Sequence, residues 1–155
     1  MRRFAVAALL PLAALLTAAG VREHRESQER AAIEAAVYDY VDALYRVEPS
    51  RVERSVHPEL TKRGFHRPQE GAPYRELKMT YTQLRDLAGS WNREGRVDPA
   101  RAVREVTVLD ALDQTASAKL VADWGVDYLH LAKYDGRWQI VNVLWQSPPP
   151  PLPTP

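Results

Sequence analysis

The sequence predicts an α+β fold in which a curled antiparallel sheet packs against three N-terminal helices. Two observations support this prediction. Apolar side chains recur at three- and four-residue spacing in the first half of the chain, which is typical of helices. In the second half they alternate in short runs separated by turn residues, which indicates four consecutive antiparallel strands. Helices followed by strands are characteristic of layered α+β domains.

The first helix is predicted over residues 27–46, with Ser27 as its N-cap. Its buried stripe comprises Ile33, Ala36, Val37, Tyr40, Val41 and Leu44. Pro49 cannot continue this helix but suits the first turn of a short second one over residues 50–56.

Three further elements complete the first half of the domain. A brief strand is expected over residues 60–66, and a loop rich in glycine and proline over 68–73. A third helix is expected over residues 74–88, with Leu77, Tyr81 and Leu84 on its inner side.

Two hairpins are predicted in the second half. The first joins residues 102–112 to 115–123 around Asp113 and Gln114. The second joins two apolar-rich runs around Asp135-Gly136, a dipeptide that favours a two-residue hairpin turn because glycine accepts a positive φ.

A two-residue loop at Asp135-Gly136 fixes the register of the second hairpin, and with it two faces. The predicted pairs are Tyr134 with Arg137, Lys133 with Trp138, Leu131 with Ile140, Leu129 with Asn142 and Asp127 with Leu144. The inner face would carry Asp127, Leu129, Leu131, Trp138, Ile140, Asn142 and Leu144. The outer face would carry Tyr128, His130, Ala132, Val141, Val143 and Trp145. Both faces are rich in apolar side chains, so both are expected to be covered.

The two ends of the chain differ in composition from the domain between them, predicted over residues 27–146. Two arginines, the apolar run 4–16 and small residues after it predict a secretory signal over residues 1–19 and an extracytoplasmic location, secreted or periplasmic. A retained membrane anchor stays open as the alternative, although a span needs about 20 apolar residues. Residues 147–155 are proline-rich and are predicted to be a disordered tail.

Composition narrows the possible functions. The chain has 155 residues and no cysteine, so disulfides and a lipidated-cysteine anchor are excluded. Its 21 basic and 20 acidic residues are interspersed without a basic stripe, which argues against a nucleic-acid partner. No cofactor fingerprint, nucleophile motif or metal-ligand spacing is found, so neither a cofactor nor a metal is predicted.

Three segments together resemble the putative lumazine-binding family of the NTF2-like (nuclear transport factor 2-like) superfamily. They are DYVDALY at residues 39–45, VERSVHPELTKRG at residues 52–64, and the second hairpin at residues 123–145. The resemblance covers most of residues 30–146. It implies a cone made of one curled sheet wrapped by three helices, an internal pocket and frequent dimerisation through the outer sheet face. The superfamily includes isomerases, cyclases, dehydratases and non-catalytic domains, so the resemblance names no reaction.

Asp127 is the best candidate for acid–base chemistry. A carboxylate desolvated among apolar groups has a raised pKa and can shuttle protons, although a structural role at the nearby turn is the simpler interpretation. The predicted ligand-binding residues are Tyr40, Tyr81, Asp127, Leu129 and Asn142. The predicted interface residues are Tyr128, His130, Val141, Val143 and Trp145.

Three functions remain open from the sequence. The preferred one is an exported, dimeric domain that binds an unidentified small molecule in an apolar pocket without catalysis. The second is an isomerase-, cyclase- or dehydratase-like enzyme that uses Asp127. The third is an interaction module that presents its proline-rich tail to a protein partner.

Overall fold

The computed structural model describes the backbone of residues 10–148 and the side chains from residue 20 onward. Much of the predicted secretory signal and residues 149–155 of the predicted tail therefore lie outside the described residues. Within the described part of the chain, no helix combines the length and hydropathy needed to cross a membrane. Ser147 is buried, and its Oγ accepts a hydrogen bond of 3.0 Å from the backbone N–H of Arg67.

Three helices and six strands form the domain. In chain order they are α1 (Leu10–Tyr45), α2 (Pro49–Ser55), β1 (Val56–His66), β2 (Arg75–Met79), α3 (Tyr81–Ala88), β3 (Arg104–Ala111), β4 (Thr115–Ala122), β5 (Gly125–Tyr134) and β6 (Arg137–Gln146). The strands make one curled, unclosed sheet in the order β2-β1-β6-β5-β4-β3. The predicted α+β fold class is confirmed, although two strands lie between the second and third helices.

Two predicted boundaries in the first half are wrong. Helix α1 is continuous from Leu10, so Ser27 lies within the helix and is not its N-cap. The predicted helix over residues 74–88 is a strand followed by a shorter helix, because residues 75–79 pair with the end of β1. Thr80 then caps α3 with a capping box, in which its side chain and that of Gln83 satisfy each other's backbone N–H groups.

The sheet is not wholly antiparallel. Strand β1 pairs in parallel with β6 and antiparallel with β2, so β6 lies inside the sheet between β1 and β5. The hairpin of β3 and β4 forms where the sequence predicts it. Parallel pairing became possible because a long stretch of chain separates β1 from β6.

A β-bulge in β6 changes the predicted faces of the last hairpin. Three predicted pairs next to the turn are confirmed: Tyr134 with Arg137, Lys133 with Trp138 and Leu131 with Ile140. His130 then pairs with Asn142, which leaves Val141 as an extra residue without a partner on β5. Beyond the bulge the observed pairs are Leu129 with Val143 and Asp127 with Trp145, where Asn142 and Leu144 had been predicted.

One extra residue reverses the direction of every later side chain because strand side chains alternate. Val143 is fully buried and Trp145 lies on the same inner face as Asp127, so the prediction of both on the outer face is wrong. Leu144 is 45% exposed on the outer face, although the sequence predicted it inside.

The core lies between α1 and the inner face of the sheet. The predicted stripe of α1 is buried throughout, from Ile33 to Leu44. It packs with alternate residues of the strands: Val56, Leu60, Ala118, Leu120, Leu129, Leu131, Trp138, Ile140 and Val143. This apolar core surrounds a small group of buried polar side chains.

Candidate functional site

Asp127 lies at the centre of a buried polar network. Its side chain is completely inaccessible to solvent, and Oδ2 accepts a hydrogen bond of 2.7 Å from the hydroxyl of Tyr40. Oδ1 accepts a second hydrogen bond of 3.0 Å from Nε1 of Trp124. The ammonium of Lys62 donates to the Tyr40 hydroxyl at 2.5 Å and lies 3.9 Å from Oδ2 of Asp127. We call these four residues the Asp127 network.

Regular elements place three members of the Asp127 network, and a tight turn places the fourth. Tyr40 belongs to the buried stripe of α1, and Lys62 lies on β1 between the inward residues Leu60 and Gly64. Trp124 belongs to the tight turn between β4 and β5, three residues before Asp127. Helix periodicity and strand alternation therefore bring together groups that lie far apart in the sequence.

Burial and charge shift two pKa values in this network. Burial, and then the negative charge and hydrogen bond of Asp127, raise the pKa of the Tyr40 hydroxyl well above its ordinary value. Burial lowers the pKa of the Lys62 ammonium, and the neighbouring Asp127 carboxylate opposes that shift. The arrangement thus favours a protonated tyrosine that bridges a cation and an anion.

Aromatic side chains enclose one side of the network. The ring of Trp124 makes an edge contact with Tyr40 and packs against Tyr45 and Trp91, with centroid distances of 6.4, 5.4 and 5.5 Å respectively. The Tyr45 hydroxyl donates to the carbonyl of Val103 at 2.7 Å, and burial raises its pKa. Among the described side chains, every buried polar atom has a hydrogen-bond partner. Each buried polar atom of the Asp127 network therefore has at least one partner within the protein.

The predicted ligand-binding residues do not form one site. Tyr40 and Asp127 are in direct contact, and Leu129 is buried next to them on β5. Tyr81 begins α3 and is only partly buried. Because of the β6 bulge, Asn142 pairs with His130 and lies on the outer face of the sheet. There its Nδ2 donates a hydrogen bond of 2.8 Å to Oγ1 of Thr61. Asn142 therefore does not share the inner face with Asp127, and the prediction that places both on that face is wrong for Asn142.

The predicted interface set is also divided by the bulge. Tyr128 is 51% exposed and His130 is exposed, both on the outer face as predicted, and Val141 is half-buried. Val143 is completely buried, and Trp145 packs inside against Lys62 and His66. Leu144, paired with Tyr128, takes the outer position instead.

Lys62 and the full role of Trp124 were not found from the sequence. A lysine in a predicted strand normally points to solvent, so Lys62 gave no local sign of burial. Its period-two relation to Leu60 and Gly64 was the available signal. The indole N–H of Trp124 donates directly to Asp127, a contact that the sequence of the turn does not predict.

Two histidines, His57 and His66, contact neighbouring side chains. His57 stacks on Tyr134 with a centroid distance of 4.4 Å, and Nδ1 of His66 lies 3.2 Å from Oγ of Ser147. Across the described residues, no group of three or more histidine, cysteine or carboxylate side chains could hold a metal ion.

A cleft of about 750 Å³ lies between β1, β6 and the segment that joins β2 to α3, and it adjoins the Asp127 network at Lys62. We call it the β1–β6 cleft. Its lining residues are Leu60, Thr61, Lys62, Arg63, Lys78, Met79, Thr80, Gln83, Asn142, Val143 and Leu144. The predicted ligand-binding residue Asn142 therefore lines this cleft and not the internal pocket that the resemblance implies. Lys62 of the Asp127 network lines it as well.

The model of the putative lumazine-binding family matches residues 28–146, more than three quarters of the chain. The chain belongs to this family. No curated protein is similar enough in sequence to count as a relative.

Solved structures show the same NTF2-like fold. An NTF2-like protein of unknown function from Silicibacter pomeroyi is 21% identical, with a TM-score of 0.61 over 79% of this chain and 98% of that one. One from Shewanella baltica is 18% identical, with a TM-score of 0.61 over 79% and 96%. A putative scytalone dehydratase from Novosphingobium aromaticivorans is 12% identical, with a TM-score of 0.57 over 80% and 87%. At these identities the likeness concerns the fold alone.

Proposed function

We propose that this lumazine-binding-like protein is an exported, non-catalytic domain that binds a small molecule in the β1–β6 cleft. The observation that carries the proposal is the closed state of the Asp127 network. A general acid or base must reach the substrate proton directly or through one water. The Asp127 carboxylate is completely buried, and its two oxygens are already bound by Tyr40 and Trp124.

The cleft supports the binding role. Its volume falls within the range of about 300–1,000 Å³ that is common for small-molecule sites. Its lining includes four apolar residues and seven polar or charged ones, so it can offer a ligand both hydrocarbon contact and charge. The family description, putative lumazine-binding, agrees with a ligand-binding domain. Export is supported by the signal-like run at residues 4–16.

The test is recovery of the natural ligand. Protein purified gently from its native host is analysed by native mass spectrometry, and any bound molecule is released and identified. We expect that molecule to bind the empty protein again and to be recovered chemically unchanged after long incubation. Appearance of a product, lost in the Asp127→Asn variant while the variant stays folded, would refute the non-catalytic role.

An enzyme is the second candidate, because Lys62 belongs both to the Asp127 network and to the β1–β6 cleft lining. A proton could pass from Lys62 through the Tyr40 hydroxyl to Asp127, which are consecutive hydrogen-bond partners. One fold neighbour is described as a putative scytalone dehydratase. Loss of water from a substrate in general requires proton transfer to the departing hydroxyl group. Turnover of the recovered ligand that disappears in Lys62→Met would favour this candidate.

We also propose that the domain is a homodimer. We expect the dimer interface to be a patch on the outer face of the sheet. This patch is formed by outward side chains of β5 and β6, namely Tyr128, His130, Val141 and Leu144. An exposed apolar patch on a sheet face commonly marks an interface. Sedimentation of a dimer at micromolar concentration is expected, and a monomer under those conditions would contradict the proposal.

A further inference from the structure

We infer that the β1–β6 cleft selects a small amphipathic organic anion, such as a carboxylate with an apolar body. The inference deepens the proposed function and rests on it. It is supported by the charges of the side chains that line this cavity, by the ion pairs and hydrogen bonds that they already make within the protein, and by their apolar surface.

The charge of the cleft is one-sided. Three cationic residues, Lys62, Arg63 and Lys78, line it, and no aspartate or glutamate does. The chain as a whole has nearly equal numbers of basic and acidic residues, so this local excess is not a consequence of composition. A concave surface lined by charges of one sign attracts ligands of the opposite sign.

The three cationic side chains differ in whether they already form an ion pair or hydrogen bond within the protein. The Lys62 ammonium is directed inward to Tyr40 and Asp127. Arg63 pairs with Glu76 at 3.2 Å, and that arginine is 56% exposed at its side chain. Lys78 is exposed and has no carboxylate within ion-pair distance among the described residues. Lys78 is therefore the cation most available to a ligand, and the exposed guanidinium of Arg63 is the second.

The neutral polar groups of the cleft are largely engaged within the protein. Thr80 and Gln83 satisfy each other's backbone N–H groups in the capping box of α3. Asn142 donates to both the carbonyl and the hydroxyl of Thr61, at 3.2 and 2.8 Å. The cleft therefore has few free hydrogen-bonding groups for a neutral polar ligand. Its selectivity must then depend on the cationic side chains.

The remaining lining is apolar. Leu144 gives the cleft a hydrocarbon surface on the face that carries the two available cations, because Arg63 pairs with both Lys78 and Leu144. Met79 is half-buried beside it, whereas Val143 is completely buried and Leu60 nearly so. An apolar body on Leu144 and Met79 and a negative group at Lys78 and Arg63 would satisfy both parts. A highly charged polar anion would leave the apolar surface unused, so an amphipathic monoanion fits best.

The test uses three probes that differ only in their head group: octanoate, octanamide and octylammonium. Isothermal titration calorimetry at low and high salt measures their binding to the full chain. We expect octanoate to bind at least about tenfold more tightly than the other two, and to lose affinity as salt screens the charges. Equal affinity for octanamide, or no octanoate binding, would overturn the inference.

Matched variants locate the site. We expect Lys78→Gln and Arg63→Gln each to weaken octanoate binding by about fivefold, and octanamide binding to remain unchanged. Arg101→Gln is the control, because this arginine is 89% exposed and precedes β3 at the opposite edge of the sheet. Wild-type affinity in both cleft variants, or an equal loss in Arg101→Gln, would contradict the assignment.

The two proposals can fail separately. A natural ligand that is bound unchanged but proves neutral or cationic would overturn the anion preference and leave the binding function intact. A natural anion that depends on Lys78 and is converted to product would uphold the preference and refute the non-catalytic role.

Discussion

The hydroxyl of Tyr40 on α1 bonds the carboxylate of Asp127 on β5 at 2.7 Å, although 87 residues separate them in the sequence. The same hydroxyl accepts a hydrogen bond from Lys62 on β1. One oxygen atom thus ties the long helix to two strands of the sheet. Because all three side chains are buried, their mutual contacts replace the water that each would otherwise bind.

Replacing Tyr40 by phenylalanine tests this tie. The variant leaves Asp127 and Lys62 each short of one partner, so we expect the free energy of unfolding to fall by about 1–3 kcal/mol. Urea unfolding followed by circular dichroism measures the change. Tyr38→Phe is the matched control, since Tyr38 is 39% exposed on the same helix and should change stability by less than about 0.5 kcal/mol. Equal effects of the two variants would contradict the network.

The raised pKa of Tyr40 predicts a pH dependence with a definite sign. Above the ordinary tyrosine pKa of about 10, the unfolded chain loses this proton while the folded protein keeps it, so folding stability falls as pH rises. Phenylalanine has no such proton. The destabilisation caused by Tyr40→Phe should therefore shrink between pH 10 and 11, measured by urea unfolding at each pH. A difference that stays constant over this range would refute the pKa shift.

The β6 bulge predicts opposite results for two adjacent substitutions. Val143→Glu places a charge at a completely buried position and should lower stability by more than about 3 kcal/mol or prevent folding. Leu144→Glu changes a side chain that is 45% exposed on the outer face, so the fold should persist. In the homodimer proposal this second variant sediments as a monomer. A stable Val143→Glu protein with an unfolded Leu144→Glu protein would support the register without a bulge.

The close approach between Gly64 and Trp145 allows an independent test of whether Trp145 lies on the inner face of the sheet. A Cβ atom at Gly64 would lie 2.0 Å from Nε1 of Trp145, so Gly64→Ala must displace the half-buried indole. We expect a loss of about 1–3 kcal/mol in thermal or urea unfolding. Gly20→Ala is the control, because no atom lies within 4 Å of the added methyl group there. Unchanged stability in Gly64→Ala would mean that Trp145 does not lie against β1.

Much of the fold could be predicted because its signals are local and repeated. The stripe on α1 is a helical repeat, and Asp135-Gly136 adopts the positive φ angles that a tight hairpin turn requires. The bulge at Val141 could not be predicted, since one extra residue in a strand has no marker in an alternating apolar run. That single residue accounts for the errors at Asn142, Val143 and Trp145.

The candidate site was predicted in part for the same reason. Tyr40 and Asp127 follow from periodicity on their own elements, and the structure brings them together. Lys62 depends on the pairing of β1 with β6, a long-range parallel contact that local pattern does not encode. The strand β2 was missed because its five residues, rich in charged side chains, also suit a helix.

Chemical labelling of carboxylates in the folded protein tests the closure of Asp127 most directly. A water-soluble carbodiimide with glycine ethyl ester modifies accessible carboxylates, and peptide mass spectrometry follows each site with time. Asp113 and Asp135 are exposed and serve as internal references. We expect both references to be modified rapidly and Asp127 to stay unmodified until the protein is unfolded. Modification of Asp127 at the rate of the references would contradict the claim that this carboxylate is sealed within the protein.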